Sequence, residues 1–460
     1  MFFKKNKTNK DYLLNLKPRT EGVLKFENYE VRYPDPQSIY YEYQDIFLNN
    51  IYNFKTEAKN PFIIDAGAFV GMSSLYFKSI YPNAHILCFE PDTKNFNLLN
   101  IITTSSPIGG AQMVLQENVL NNSFNNFVIT GNEGILTEQL RKNGVEVIII
   151  NELKRNFSLY DIIVFFKIIK IIKYEEIDFV ISHSSKIGVL GRLASFFTKT
   201  KNAFVVHGWS FSNDKSLIAS KIYLLIEKIM NPFSDHVILV SRYDQEVGYQ
   251  KNILSSNNTL IYNGSKDLFN VKSKSKLNNK ITISFVARFS YQKDHETLFN
   301  ALSNLRKIDL NKIIINLIGD GELMKKYIDK SNELGINNSL NFIGETTEVD
   351  KYLLESDLFM LISNYEGLPV SIIEALSVGL PIIATNVGGV NELVDDGLNG
   401  FLVTKNDHVQ LTEILLKIIN NNSIDLVSMG EKSRNIFKEK FEINFMTKNT
   451  EDLILEILKE

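Results

Sequence analysis

Cysteine is almost absent from this chain: Cys88 is the single one among 460 residues. One thiol excludes an internal disulfide framework and fits a reducing compartment, so a cytoplasmic protein is expected. Long apolar runs are missing as well. The longest, Ile162 to Ile172, is interrupted by Lys167 and Lys170, which makes it too short and too charged to cross a bilayer. The opening MFFKKNKTNK lacks the charged, apolar and small-residue order of a signal peptide. A surplus of either charge is also lacking. The formal net charge is −3, which argues against nucleic acid as the main partner. No short repeat and no low-complexity tract is found.

What is present suits two or three domains with cores of ordinary size, since 44% of the residues are hydrophobic. From about residue 60 to 430, apolar runs of strand length alternate with longer amphipathic segments. That alternation predicts parallel sheets with crossover helices, an α/β class. Strands are expected at 62–65, 86–89, 99–103, 145–150, 179–182, 203–206 and 237–240. After a gap, further strands are expected at 281–286, 313–318, 358–362 and 381–384. The gap, from Ser265 to Lys280, is polar and rich in lysine and reads as an interdomain linker. The blocks on its two sides share one pattern, so two doubly wound domains should face each other.

Three places gather residues suited to an anion and a sugar. The first, SSPIGGAQ, follows a strand and precedes a helix, with Gly109 and Gly110 at its turn. Glycines there let backbone approach a phosphate, and a helix N-terminus favours anions. By residue type alone a plain tight turn fits better. The second, VARFSYQK, ends the first strand after the linker. Ligands bind beyond strand C-termini in open parallel sheets, so Arg288 and Lys293 can neutralise a diphosphate there. A solvated loop with two surface cations is the bland alternative. The third, SNYEGLP, runs into a helix expected to start at Pro369. Its Gly367 and Leu368 amides can face an anion or sugar oxygen, and Glu366 and Glu374 lie eight positions apart. Ordinary surface acids would explain Glu374 but not the glutamate-glycine-leucine-proline loop.

From Leu98 onward the chain resembles the retaining family-four glycosyltransferases, which have the GT-B architecture of two facing Rossmann-like domains. The likeness rests on an ordered series: IITTSSPIGGAQ, ISHSSKIGVLGRLA, VVHGW, ILVSRYDQE, IYNG, FVARFSYQKD, LIGDGEL, FIGETTEV and SNYEGLPVSIIEALSVGLPIIATNVGGVNELV. It implies a sugar acceptor domain over 98–264, a linker over 265–280, a nucleotide-sugar donor domain over 281–440, and a final helix, 441–460, returning to the first domain. It implies that Arg288 and Lys293 bind the donor diphosphate and that Gly109 and Gly110 close against it. Glu366 would hold hydroxyls of the transferred sugar and Glu374 the nucleotide ribose. His207 would stand beside the donor sugar, with His183 acceptor-side or structural. Gly344 would frame the base, and Gly367 and Leu368 would contribute backbone donors. The resemblance further implies a uridine diphosphate sugar as donor and a glycan or lipid-linked acceptor from bacterial surface polysaccharide assembly. No Asp-x-Asp pair occurs in the sequence, so no metal and no cofactor beyond the donor is expected. Lys167, Lys170 and Lys173 form a stripe beside an apolar face, readable as peripheral membrane contact or as the solvated edge of a crossover helix.

Before Leu98, IIDAGAFVG and CFEPDTKNFNLLN resemble the start of an FkbM-type methyltransferase. That resemblance implies S-adenosylmethionine contacts at Asp65, Gly67, Gly71 and Glu90. The later strands of such an enzyme have no counterpart. Residues 1–97 are therefore expected to be a truncated, vestigial fragment without methyl transfer. The alternatives are a bifunctional methyltransferase–glycosyltransferase and a catalytically silent fusion.

Overall fold

Strings such as ITISFV, IIINLI and LFML are apolar at nearly every position, as strands covered on both faces must be. The computed structural model describes residues 22–26, 29–33, 36–49, 51–52, 54–66, 72–89, 96–106, 108–211, 216–269, 280–420 and 424–459. These residues form two compact units, divided between Asn95 and Phe96.

In the first unit, β1 (Gly22–Phe26) and β2 (Tyr29–Tyr33) form an antiparallel ribbon. Helix α1 (Pro36–Tyr43) runs into a π-helical turn, Gln44–Leu48. Strand β3 (Phe62–Ala66), helix α2 (Met72–Ile80) and strand β4 (His85–Phe89) make a βαβ unit with a two-stranded parallel sheet. A small core joins Ile39, Tyr43, Ile63, Met72, Tyr76 and Phe77. The sheet is covered on one face: Ile63 and Asp65 are buried, while Phe62, Ile64 and Leu87 are exposed.

The second unit begins with β5 (Asn97–Ile102), followed by α3 (Gly110–Leu120), β6 (Asn125–Thr130), α4 (Ile135–Lys142) and β7 (Glu146–Ile149). Next come α5 (Asp161–Tyr174), β8 (Phe179–His183), α6 (Ser185–Thr198), β9 (Lys201–Val206) and α7 (Leu217–Met230). β10 (His236–Leu239), α8 (Arg242–Gln250) and β11 (Asn258–Leu260) complete the first sheet. Its seven parallel strands run in the order β11-β10-β9-β8-β5-β6-β7. The chain steps one way from β5 to β7 and the other way from β8 to β11. Right-handed crossovers then put α3 and α4 on one face and α5 to α8 on the other.

The second sheet comprises β12 (Ile281–Val286), β13 (Ile313–Ile318), β14 (Leu340–Gly344), β15 (Leu358–Leu361), β16 (Ile382–Thr385) and β17 (Gly400–Val403). Its parallel order is β14-β13-β12-β15-β16-β17. Helices α9 (His295–Ser303), α10 (Lys307–Leu310), α11 (Met324–Glu333), α12 (Val349–Leu354) and α13 (Val370–Val378) connect the strands. Then α14 (His408–Asn420), α15 (Leu426–Lys440) and α16 (Ile443–Lys459) end the chain. Helix α16 packs on α3 of the first sheet, and the Gly264 amide donates to Met446 Sδ at 3.2 Å. Ser265 bridges to the α15–α16 turn through Phe441 and Ile443. Residues 270–279 of the expected linker lie outside the described residues.

The two facing doubly wound sheets match the expected fold class. The sequence pattern does not reveal β1, β2, β6, β11, β14 and β17, which are short or carry asparagine, glycine or charged residues. Pro369 is the N-cap of α13 and not its first helical residue. Its extended backbone (φ −70°, ψ 117°) leaves Val370 to begin the helix.

Candidate active site

The candidate residues sit at strand C-termini, where the two sheets of the second unit face one another. After β5, the loop to α3 is pinned from two sides. The Ser105 hydroxyl donates to Asn132 O at 2.7 Å, and Gln112 Nε2 donates to Thr104 O at 3.0 Å. Gln112 Oε1 in turn accepts from the Gly109 amide at 3.2 Å. The glycines then reach across to the second sheet. A Cβ at Gly109 would lie 3.9 Å from Arg288 Nη2, and one at Gly110 would lie 3.5 Å from Val370. The two glycines therefore meet the arginine loop and the start of α13.

Arg288, just beyond β12, is half-buried. Burial lowers its pKa below the usual guanidinium value. The Arg155 charge pushes the same way, and Glu322 and Glu345 oppose it. Arg155 follows β7, so Arg288 senses a cation of the other domain as well as the two carboxylates.

Lys293 ends the same loop, and its ammonium pairs directly with the Glu366 carboxylate. Ser363 Oγ donates to the same Glu366 oxygen at 2.6 Å. Hydrogen bonds hold the Lys293 loop to the Glu366 loop: Asn364 N donates to Gln292 O at 2.8 Å, and Asn364 Nδ2 donates to Tyr291 O at 2.7 Å. The buried His295 ring stacks on Phe289 with centroids 4.3 Å apart and meets Lys293 O at 2.6 Å.

Gly367 is fixed by crowding. A Cβ there would come within 2.7 Å of the His207 carbonyl oxygen, so no other residue fits without moving the opposite domain. Gly388, at φ +58°, passes over the Glu366 carbonyl where a side chain would collide at 1.9 Å. Gly389 N donates to Gly367 O at 2.8 Å, and Asn263 Nδ2 donates across to Leu368 O at 2.8 Å. Glu392 takes the Arg242 and Tyr243 amides at 2.9 and 3.0 Å, capping the N-terminus of α8 from the other domain.

Glu374, one turn into α13, is buried. Burial, with the Asp350 and Glu117 charges, raises its carboxyl pKa to about 8. Glu117 lies on α3, so this acid senses both domains. Gly344 ends β14 at φ +80°, with open space where a side chain would stand and its carbonyl accepting from Gly319 N at 2.8 Å.

The histidines form a directed chain. Asn126 Nδ2 donates to Phe124 O at 2.9 Å, so its Oδ1 accepts from Asn100 Nδ2 at 3.4 Å. Asn100 Oδ1 is then the acceptor for His183 Nε2–H at 3.4 Å. The other nitrogen of His183 accepts from His207 Nε2–H at 3.1 Å. Burial holds the pKa of His183 well below its ordinary value and that of His207 at about 4. Both rings are therefore neutral at pH 7, and His207 Nδ1 is left as an acceptor. The turn carrying His207 is anchored by Trp209, whose Nε1–H donates to Asp244 O at 2.7 Å.

Arg155 and Asn126 lie in no motif of the sequence, because isolated polar residues carry no local signal. Ser363, Asn263, Glu392 and Asn100 lie within the motifs SNYEGLP, IYNG, the long run that begins at Ser363, and CFEPDTKNFNLLN, but the sequence assigns them no role. In the first unit, Asp65 accepts from the Ser73 and Ser74 hydroxyls at 2.7 and 2.6 Å, which engages it at the start of α2. Gly67, Gly71 and Glu90 lie outside the described residues.

Comparison with known proteins gives a consistent result. The family model described as Glycosyl transferases group 1 matches residues 268–439, and Glycosyltransferase Family 4 matches residues 122–265. The chain is 31% identical over 310 residues to the Escherichia coli O-antigen biosynthesis glycosyltransferase WbnH, covering 66% of this chain and 85% of that protein. It is 28% identical over 372 residues to an Escherichia coli UDP-Gal:alpha-D-GlcNAc-diphosphoundecaprenol alpha-1,3-galactosyltransferase, covering 76% and 95%. Among solved structures, Anabaena Alr3699/HepE in complex with UDP-glucose aligns with a TM-score of 0.68 at 22% identity, covering 79% of this chain and 99% of that one. The fold is GT-B.

Proposed function

Because this chain belongs to the group 1 and family 4 glycosyltransferases, we propose that it moves a sugar from a nucleoside diphosphate to a glycan or lipid-linked acceptor with retention of anomeric configuration. The donor is a uridine diphosphate sugar, and the acceptor belongs to bacterial surface polysaccharide assembly in the cytoplasm. Relatives named for O-antigen synthesis and for transfer from UDP-Gal, and a UDP-glucose complex of the same fold, support this choice.

One observation carries the reading most of the way: Arg288 meets the Gly109 loop while Lys293 and Glu366 share one hydrogen-bonded cluster beside it. In the proposed mechanism, Arg288 and Lys293 neutralise the leaving diphosphate. Glu366 accepts hydroxyls of the transferred sugar once Lys293 turns to phosphate, and Glu374 takes the ribose. His207 Nδ1 accepts one further sugar hydroxyl. The acceptor hydroxyl attacks C1 on the face the diphosphate leaves; the C1–O(phosphate) bond breaks as the C1–O(acceptor) bond forms. The acceptor proton goes to the leaving phosphate oxygen. Gly344, Gly367 and Leu368 contribute backbone contacts to the donor.

The same reading assigns 98–264 to the acceptor, 281–440 to the donor and 1–97 to a truncated FkbM-type methyltransferase fragment that transfers no methyl group. The one-sided β3–β4 sheet and the engagement of Asp65 by two serines support the last point. A panel of UDP-glucose, UDP-galactose and UDP-N-acetylglucosamine, with product mass spectrometry and NMR of the new anomeric centre, tests the reaction. An inverted product, or no turnover with any nucleotide sugar, overturns it. Tight calorimetric binding of S-adenosylmethionine would refute the fragment assignment.

A further inference from the structure

Two cations that grip one diphosphate act together only at a fixed separation. Phe289, Ser290, Tyr291 and Gln292 are all that lies between Arg288 and Lys293 in the chain. His295, the first residue of α9, comes just after them, and the motif FVARFSYQKD stops one residue short of it. Side chains at a helix start tilt back over the segment that enters the helix, and here that segment is the cation loop.

The His295 ring is fully buried. It lies on Phe289 with planes 18° from parallel, and Phe289 directly follows Arg288. Phe285 of β12 and Tyr327 of α11 complete an aromatic cage, with centroids 5.0 and 5.2 Å away. The Nδ1 edge meets Lys293 O at 2.6 Å, and the His295 amide donates to the same oxygen at 2.7 Å. One ring therefore holds both ends of the loop. Its protonation follows from its partners. A carbonyl oxygen only accepts, so Nδ1 carries the hydrogen. Nε2 is buried with no hydrogen-bond partner among the described residues. A second N–H there would be costly, so Nε2 keeps its lone pair. Burial lowers the ring's pKa to about 4, and the ring is neutral at pH 7. A core residue needs only its shape, which phenylalanine nearly reproduces; the Nδ1 bond to Lys293 is what shape does not supply.

We propose that His295 is a positioning residue for diphosphate binding: its ring, stacked on Phe289 and bonded to Lys293 O, sets the separation of Arg288 and Lys293. It touches no substrate and acts through the loop it holds. This rests on the reading of Arg288 and Lys293 as the groups that neutralise the donor diphosphate.

The test is calorimetry of the full chain with UDP and with UMP. His295→Phe keeps a buried ring and deletes the Nδ1 donor, whereas His295→Asn keeps a donor near that position and deletes the ring. UDP affinity is expected to fall about tenfold in His295→Phe and UMP affinity about threefold or less, with His295→Asn recovering part of the UDP loss. In a Lys293→Ala background, His295→Phe should cost no further UDP affinity, since a residue acting through Lys293 is not additive with it. An unchanged ratio of UDP to UMP affinity in His295→Phe, or full additivity with Lys293→Ala, overturns the proposal. Wild-type UDP affinity in Lys293→Ala sinks the diphosphate reading and this role together; a loss in Lys293→Ala with none in His295→Phe sinks this role alone. Nitrogen-15 NMR of the wild type needs neither variant nor nucleotide: His295 should show the Nδ1–H tautomer, and an Nε2–H tautomer overturns the proposal.

Discussion

Arg288 is held half-buried with Arg155 near it, and this sets how the two cations should behave on substitution. In the proposed mechanism Arg288→Ala removes the charge that neutralises the leaving group, and turnover should fall by about 10²–10³ in steady-state assays with the melting temperature kept. Lys293→Ala carries a second cost, since it leaves the buried Glu366 carboxylate without its cation, so stability should fall as well as rate. Glu374 gives a pH signature. Its folded pKa of about 8 exceeds the ordinary value of 4.5. The folded state thus binds the proton more tightly than the unfolded chain. Stability is full below pH 4.5 and falls as pH rises towards 8, with a slope of up to about 1.4 kcal/mol per pH unit. Glu374→Gln should flatten that slope in denaturant melts across this range while weakening nucleotide binding. The histidine chain is open to nitrogen-15 NMR. His207 should show the Nε2–H tautomer and no titration between pH 5.5 and 8; a His183→Phe variant should lose that fixed tautomer.

At the level of elements, the site is made by loops that leave no room for a β-carbon. Gly367 lies under the His207 carbonyl, and Gly388 crosses Glu366. Gly367→Ala must push the His207 turn away from α13. Stability should drop by roughly 2–4 kcal/mol in chemical denaturation, and donor KM should rise even in the folded fraction. Element reading from sequence follows a physical rule. β12, β13 and β15 are buried on both faces, so their apolar runs are continuous and visible. β14 (LNFIG) and β17 (GFLV) lie at sheet edges, where polar and glycine residues are tolerated and the pattern fades. Helix α7 is apolar around most of its circumference, so its sequence marks a helix without saying which stripe faces the sheet.

On the scale of the molecule, the second unit is two sheets strapped together at Asn263–Leu368, at Glu392 on the α8 N-terminus, and through α16. These are polar contacts a bound donor can strengthen or exchange. Glu392→Ala removes two charge-assisted hydrogen bonds across the cleft. Small-angle scattering should show a larger radius of gyration without nucleotide, and saturating nucleotide should restore the wild-type value.

Local sequence was enough to determine the alternation of strands and helices and the expectation of two doubly wound domains, which are written in apolar periodicity and a polar linker; the motif positions of Arg288, Lys293, Glu366 and Glu374 came from the family resemblance that the ordered motifs carry. Tertiary structure alone decided that Lys293 pairs with Glu366, that the Arg155 charge reaches Arg288, that burial with Asp350 and Glu117 raises the Glu374 pKa, and that the aliphatic stripe of α7 looks outward. Those relations join residues far apart in the chain, and their energies depend on burial and through-space distance, which no local pattern encodes.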